Sequence, residues 1–293
     1  MNSIKKMMLS GALGCLISGM AYADGSSPQP VKPYWQDIQV VAVNKEKPRS
    51  SFMSYADRET ALTSRFEKSP YYSLLNGTWK FFFVDSYKDL PQNITDPSVN
   101  TSSWDDITVP GNWEVQGHGV AIYTNHGYEF KPKNPQPPLL PEANPVGVYR
   151  RDIEIPANWD NRDIYLHIGG AKSGLYVYLN GKEVGYSEDS KNPAEFLINK
   201  YLQPGKNVLT LKIFRWSTGS YLECQDFWRM SGIERDVFLW SQPKASIQDF
   251  RVVSTLDDTY TNGIFKLAVD LKNHTQETKN LNVGSLLSKE IFP

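Results

Sequence analysis

From Asn76-Gly77 onward, short β-favouring runs follow one another with turn residues between them, and few stretches keep a helical period. Trp79-Lys80-Phe81-Phe82-Phe83-Val84 is an aromatic run of strong strand preference. Val148 to Ile155, Asp163 to Ile168 and Leu175 to Leu179 alternate apolar and polar side chains, the period of a half-buried strand. Asn180-Gly181 then supplies a two-residue hairpin turn, and Lys182 to Tyr186 returns from it. Pro204-Gly205-Lys206-Asn207 turns the chain again before Val208 to Phe214, and Arg235 to Trp240 closes the block. This pattern predicts an all-β fold, an antiparallel sandwich over about residues 70–242.

Pro243 marks a boundary. Beyond it Ile247 to Thr255, Gly263 to Leu271 and Leu281 to Leu287 read as three more strands. An immunoglobulin-like sandwich takes about seven strands over roughly 100 residues. Residues 243–293 are therefore expected to be the start of a second, incomplete sandwich of a truncated chain, with open edges that favour aggregation. On the other side, residues 24–69 read as an N-terminal extension. It has a Pro/Ser-rich leader over 24–34 and a short helix within Arg58 to Lys68.

The first 23 residues have the build of a secretory signal. Lys5 and Lys6 are the positive start, Met7 to Met20 the apolar stretch, and Ala21-Tyr22-Ala23 a small-x-small cleavage site. The apolar stretch is short for a membrane span. A periplasmic or secreted location follows, with no membrane association after cleavage; lipid attachment at Cys15 is the alternative, on an imperfect motif. Cleavage leaves Cys224 as the single cysteine, which removes any internal disulfide and any cysteine metal site and predicts a shielded thiol.

Lys+Arg 31 against Asp+Glu 32 leaves a net charge of -1, which argues against nucleic-acid binding and a polybasic membrane patch. With 13 Phe, 8 Trp and 16 Tyr, most aromatic rings must be core. The histidines His118, His126, His167 and His274 show no metal-ligand spacing, and Gly117-His118-Gly119 lacks the context of a phosphate loop.

Five segments in order carry a family resemblance: Asn76-Gly77-Thr78-Trp79-Lys80-Phe81, Val109-Pro110-Gly111-Asn112-Trp113-Glu114, Ile122-Tyr123-Thr124-Asn125, Asn144 to Arg150, and the long run Arg215 to Val237. From about residue 35 to the end, the chain resembles the N-terminal portion of bacterial β-galactosidases of glycoside hydrolase family 2. The resemblance implies a jelly-roll, galactose-binding-like sandwich, then an immunoglobulin-like domain. It also implies a (β/α)8 barrel beyond residue 293 that carries two catalytic glutamates. Retaining hydrolysis of terminal β-D-galactose needs two carboxylates about 5–5.5 Å apart. No pair here matches the family's catalytic motifs; Glu188 and Asp189 are neighbours that a strand would point to opposite faces. No catalytic residue is therefore assigned, and the chain alone is expected to be inactive.

By the same resemblance, Asn125 and Asp226 contact the substrate, a β-galactoside, and Asp226 is one ligand of a sodium ion. An amide offers donors and acceptors to sugar hydroxyls, and a carboxylate suits both hydroxyls and a hard cation. As residues alone, Asn125 reads equally as a turn residue. His126 is placed beside Asn125 in the pocket. Trp228, as a buried indole, and Arg229 are expected to be framework, and Tyr221 and Glu223 to brace the same loop. Trp79, Trp104, Trp113 and Trp216 are read as packing. Thr218 stands where some relatives carry an acid implicated in a secondary magnesium site, which leaves that ion without ligands here; Cys224 replaces another acid. Relatives assemble as dimers or tetramers, so homo-oligomerisation of a longer protein is implied. A stand-alone carbohydrate-binding module and a non-catalytic remnant are the competing readings. Related family members cleave β-glucuronides or β-mannosides.

Overall fold

A computed structural model describes residues 32–130 and 134–285. Cys15, the cleavage site after Ala23 and positions 286–287 lie outside the described residues. Along the chain the strands are β1 (Ala42–Val43), β2 (Tyr72–Leu74), β3 (Gly77–Val84), β4 (Asp105–Val109), β5 (Gly111–Asn112), β6 (Ile122–Thr124), β7 (Val146–Glu154), β8 (Arg162–Ile168) and β9 (Ala171–Lys172). They continue with β10 (Gly174–Leu179), β11 (Lys182–Ser187), β12 (Ala194–Leu197), β13 (Lys206–Phe214), β14 (Phe227–Arg229), β15 (Gly232–Ile233), β16 (Val237–Pro243), β17 (Ala245–Leu256) and β18 (Gly263–Asn273).

Two antiparallel sheets make a sandwich of the jelly-roll type. One has seven strands in the order β1-β11-β10-β13-β7-β3-β4, the other four in the order β12-β8-β16-β2. Side-chain alternation decides which residues meet between them. Leu175, Val177 and Leu179 of β10 and Leu209, Leu211 and Ile213 of β13 turn inward from the large sheet. Ile164, Leu166 and Ile168 of β8 and Val237 and Leu239 of β16 turn inward from the small one. Trp79, Phe81 and Trp113 fill the same core and are fully buried.

The intervening residues are covered too, by segments that leave the sheets. Tyr176, Tyr186 and Phe214 on the outer face of the large sheet lie under Trp35, Ile94 and Trp104. Tyr165, Phe238 and Trp240 on the outer face of the small sheet lie under Met53, Tyr55 and Phe66 of the extension. Both sheets are thus covered on part of their outer faces as well as on their inner ones.

The Asn180-Gly181 hairpin forms as predicted, with φ of 53° and 78°. The Asn180 side chain secures it: Oδ1 accepts from Val208 N at 2.9 Å and Nδ2 donates to Asn207 Oδ1 at 2.8 Å.

Two expected elements differ. The helix within Arg58 to Lys68 is α1 (Arg58–Leu62), capped by Asp57 Oδ1 accepting from Thr60 N at 2.8 Å, and then a separate 3-10 turn, Phe66–Lys68. Ser64 has a φ of 54°, which breaks the helix between them. Beyond Pro243, β17 and β18 pair as a long two-stranded ribbon, but residues 281–285 form no strand. Among the described residues no strand pairs with them, so no hydrogen-bond ladder forms there.

Candidate functional site

β6 and β14 form a separate two-stranded ribbon, with Tyr123 opposite Trp228 and Thr124 opposite Phe227. Asn125 follows β6 by one residue and Asp226 precedes β14 by one residue. The two residues expected to touch substrate therefore leave the same end of the same ribbon. Strand parity puts Tyr123, Asn125, Asp226 and Trp228 on one face, and all four are exposed. The other face turns inward: Ile122, Thr124 and Phe227 are partly buried and Arg229 is 1% exposed.

Asp226 is held from the side. Tyr123 Oη donates to its Oδ1 at 2.8 Å, and this bond to a carboxylate raises the Tyr123 phenol above its ordinary value. Oδ2 has no partner among the described residues. Asn125 Oδ1 lies 2.7 Å from His126 Nδ1, which leaves the amide nitrogen free to donate outward. His126 thus stands beside Asn125. Carboxylate oxygen, amide nitrogen and the lone pairs of the Tyr123 hydroxyl make a mixed acceptor-donor edge suited to hydroxyl groups.

Trp228 is not the buried indole expected. It is 54% exposed and packs at a tilt against Tyr123, with ring centroids 5.6 Å apart and 58° between the planes. The reason is parity: Phe227 and Arg229, not Trp228, fall on the inward face. Trp79, Trp104, Trp113 and Trp216 are buried packing residues.

Buried charges hold the ribbon. Arg229 Nη1 donates to Glu223 O at 2.8 Å, and its guanidinium lies 4.7 Å from the Phe227 ring. Glu129 accepts from Trp216 Nε1 at 3.1 Å and faces Arg229 Nε at 3.9 Å. Arg215 Nη2 donates to Val120 O, two residues before β6, and to Arg229 O on β14, tying the ribbon to the sandwich, and its charge faces Glu114 at 3.6 Å. Glu114 in turn accepts from Ser231 N through both oxygens; burial nevertheless pushes its carboxyl up. Glu223 accepts from Ser190 N and Oγ, and Tyr221 Oη donates to Leu139 O. Both therefore brace this loop. Cys224 is half-buried, its Sγ donates to Ser220 O at 3.1 Å, and burial pushes the thiol up.

Glu188 and Asp189 occupy different surroundings. Glu188 is buried and accepts from Tyr186 Oη, Thr218 Oγ1 and Gly219 N, each at 2.7 Å, while burial raises its carboxyl. Asp189 is exposed and caps the turn at Asn192. Thr218, at the position of the expected magnesium acid, spends its hydroxyl on Glu188. Those two side chains satisfy each other, so they do not fit a magnesium ion. Among the described residues no three His, Cys, Asp or Glu side chains cluster as metal ligands. No helix among them is long and apolar enough to cross a membrane.

The ties through Glu114, Glu129 and Tyr123 were not anticipated from sequence. Only the β6–β14 register brings these distant residues together, and period two within each segment was the available signal.

Residues 72–243 match the model of the family described as glycosyl hydrolases family 2, sugar binding domain. The chain is 39% identical over 259 residues to a β-galactosidase of Priestia megaterium, covering 87% of this chain and 25% of that protein. With a β-galactosidase of Actinobacillus pleuropneumoniae it shares 40% over 225 residues, 77% of this chain and 22% of that one. It spans about a quarter of the length of the curated relatives it matches. Its fold is similar to that in a β-glycosidase from Bacteroides vulgatus, with a TM-score of 0.52 and 21% identity over 70% of this chain and 25% of that one. A Bifidobacterium dentium β-glucuronidase gives a TM-score of 0.53 at 18% identity, covering 69% of this chain and 36% of that one.

Proposed function

The chain belongs to glycoside hydrolase family 2, and from that premise we propose that it is the N-terminal, sugar-binding part of a β-galactosidase. The observation that carries this is the common exposed face of Asn125 and Asp226 at one end of the β6–β14 ribbon. In this reading the Asn125 amide donates to a galactose hydroxyl while Asp226 Oδ2 accepts from another. Tyr123 fixes which carboxylate oxygen is presented. These groups bind and orient; retaining cleavage belongs to a pair of carboxylates about 5–5.5 Å apart, which a barrel of the longer protein would supply.

A sodium ion suits the same oxygen. Asp226 is exposed, and its Oδ2 has no partner among the described residues, as a site for a hard cation requires. It supplies one ligand, so the remaining oxygens would come from elsewhere, and the ion would neutralise charge beside the bound hydroxyls. We read residues 70–242 as the sugar-binding domain and the β17–β18 ribbon as the opening hairpin of an immunoglobulin-like domain, with residues 24–69 as an extension. Export to the periplasm or medium, and assembly of the longer protein into homo-oligomers, belong to the same reading.

Isothermal calorimetry of the chain with galactose tests the binding step. Millimolar or tighter binding, lost in Asp226→Ala, supports the reading; heat that is unchanged in that variant removes Asp226 from the site. Purified chain should not hydrolyse a chromogenic β-galactoside, and robust turnover would overturn the assignment of bond breaking to other residues.

A further inference from the structure

We propose that His126 is a positioning residue: it fixes the polarity of the Asn125 amide, so that the NH2 and not the carbonyl oxygen faces the sugar. The inference rests on the sugar-binding reading above and deepens it, since it sets what that site offers to a hydroxyl.

An exposed amide needs such a partner. Its two ends have the same shape and opposite roles, one accepting and one donating. A half turn about the last side-chain bond exchanges them at little steric cost. Asn125 is exposed, so packing holds neither orientation. What distinguishes the two ends is the contact of Oδ1 with His126 Nδ1 at 2.7 Å; Nδ2 has no partner among the described residues. An amide oxygen only accepts, so Nδ1 carries the proton and donates it. The imidazolium and one of the two neutral tautomers meet this condition.

The chain is folded to make the contact. Consecutive residues of a strand point to opposite faces, which would part the side chains of residues 125 and 126. β6 stops at Thr124, and Gly127 takes a φ of 77°, a conformation that glycine adopts without strain. Between them Thr124 Oγ1 donates to His126 O at 2.6 Å, closing a bend that brings the imidazole back onto Asn125.

Asp226 is held by a device of the same kind, since Tyr123 Oη engages Oδ1 and leaves Oδ2. With both partners in place the end of the ribbon offers one donor, Asn125 Nδ2, and one acceptor, Asp226 Oδ2. A hydroxyl can accept from the first and donate to the second. A flipped amide would offer two acceptors, and a hydroxyl has one proton to give them.

A series at position 126 tests the role. His126→Asn places an NH2 where Nδ1 lies and can donate. His126→Leu neither donates nor accepts. His126→Asp only accepts and would draw the Asn125 NH2 to itself. Nitrogen-15 NMR of the ligand-free chain reports which nitrogen of His126 carries the proton, and Nδ1 is expected. Calorimetry with galactose should give His126→Asn within about two-fold of the unsubstituted chain, His126→Leu about three-fold weaker and His126→Asp about ten-fold weaker, the scale of one hydrogen bond. Asn, Leu and Asp are similar in size, so a merely structural role would weaken all three alike. Equal affinities for the three variants therefore overturn the proposal, and so does a His126 protonated at Nε2 alone. Both results spare the sugar reading where the unsubstituted chain binds galactose and Asn125→Ala does not. An unsubstituted chain that binds no galactose overturns the sugar reading, and the role of His126 with it.

Discussion

Glu195→Gln should destabilise the protein by about 3 kcal/mol, because that carboxylate is the fixing point of the N-terminal extension on the small sheet. Glu195 on β12 is 8% exposed and receives four donors. Arg49 Nε and Nη2 donate to its two oxygens at 2.9 Å each, His167 Nδ1 lies 2.8 Å from Oε1, and Trp240 Nε1 donates at 3.0 Å. An amide keeps one acceptor and turns a donor against Arg49. Removing one partner of a buried ion pair costs about 3–5 kcal/mol. The lower end applies here, because the Arg49 guanidinium keeps bonds to Ser50 O and Phe52 O and lies 4.3 Å from the Trp240 ring. At roughly 2–4 °C per kcal/mol for a chain of this size, Tm at neutral pH should fall by about 6–12 °C. The pH dependence gives an internal control. His167 and Arg49 hold the Glu195 carboxyl below the usual range against the opposing effect of burial. Its stabilisation is therefore complete above the unfolded value, about 4.3, and disappears as pH falls through the lower folded value. Glu46 nearby is pushed up chiefly by burial and further by the Glu195 charge, so Glu195→Gln relieves that repulsion and takes a little from the loss at pH 7. Thermal unfolding followed by circular dichroism from pH 7 down to pH 3 measures the gap. A loss under about 1 kcal/mol at pH 7 would refute the reasoning, and so would a gap that stays constant on acidification.

Three further outcomes are expected. Gly147→Ala should destabilise strongly, by about 3 kcal/mol or more, since an added Cβ would sit 2.6 Å from Trp113 and 2.7 Å from Phe81; denaturant unfolding measures it. Leu267→Lys should lower self-association in sedimentation and weaken binding of a hydrophobic dye, because Val252, Phe265, Leu267 and Leu271 lie exposed on one face of the β17–β18 ribbon. Asp226→Asn should return the Tyr123 phenol toward its ordinary value in an ultraviolet titration, since Asp226 is what raises it.

The sandwich was legible because its strands obey local rules. Alternation over Leu175 to Leu179 and Val208 to Phe214 and the Asn180-Gly181 turn each specify structure within a few residues. Legibility failed where a partner decides. Leu281 and Val283 alternate as a strand would, yet among the described residues no strand pairs with 281–285. Ser64 carries no strong helix-breaking signal, yet its φ is 54° and the helix ends there. The outer faces of both sheets were hidden in the same way: Tyr176 and Trp240 are buried only because Trp35 and Met53 come back over them from far along the chain.

The site shows the same division more sharply. Asn125 and Asp226 could be named from motif resemblance, but their being neighbours depends on the register of β6 against β14, and nothing local in either segment states it. Once Thr124 is opposite Phe227, the rest follows without further assumption. Parity places Tyr123 with Asn125 and Asp226 with Trp228, and sends Phe227 and Arg229 inward. A shift of one residue in this ribbon would turn Arg229 out and Trp228 in, exposing a charge that now lies against Phe227 and burying an indole with no partner for its N–H. The buried ties of Arg215 to Val120, just before β6, and to Arg229, at the end of β14, oppose that slip, because they hold the backbone at the same end of the ribbon. The framework charges therefore fit one ribbon register, the one that puts these four side chains on a common exposed face.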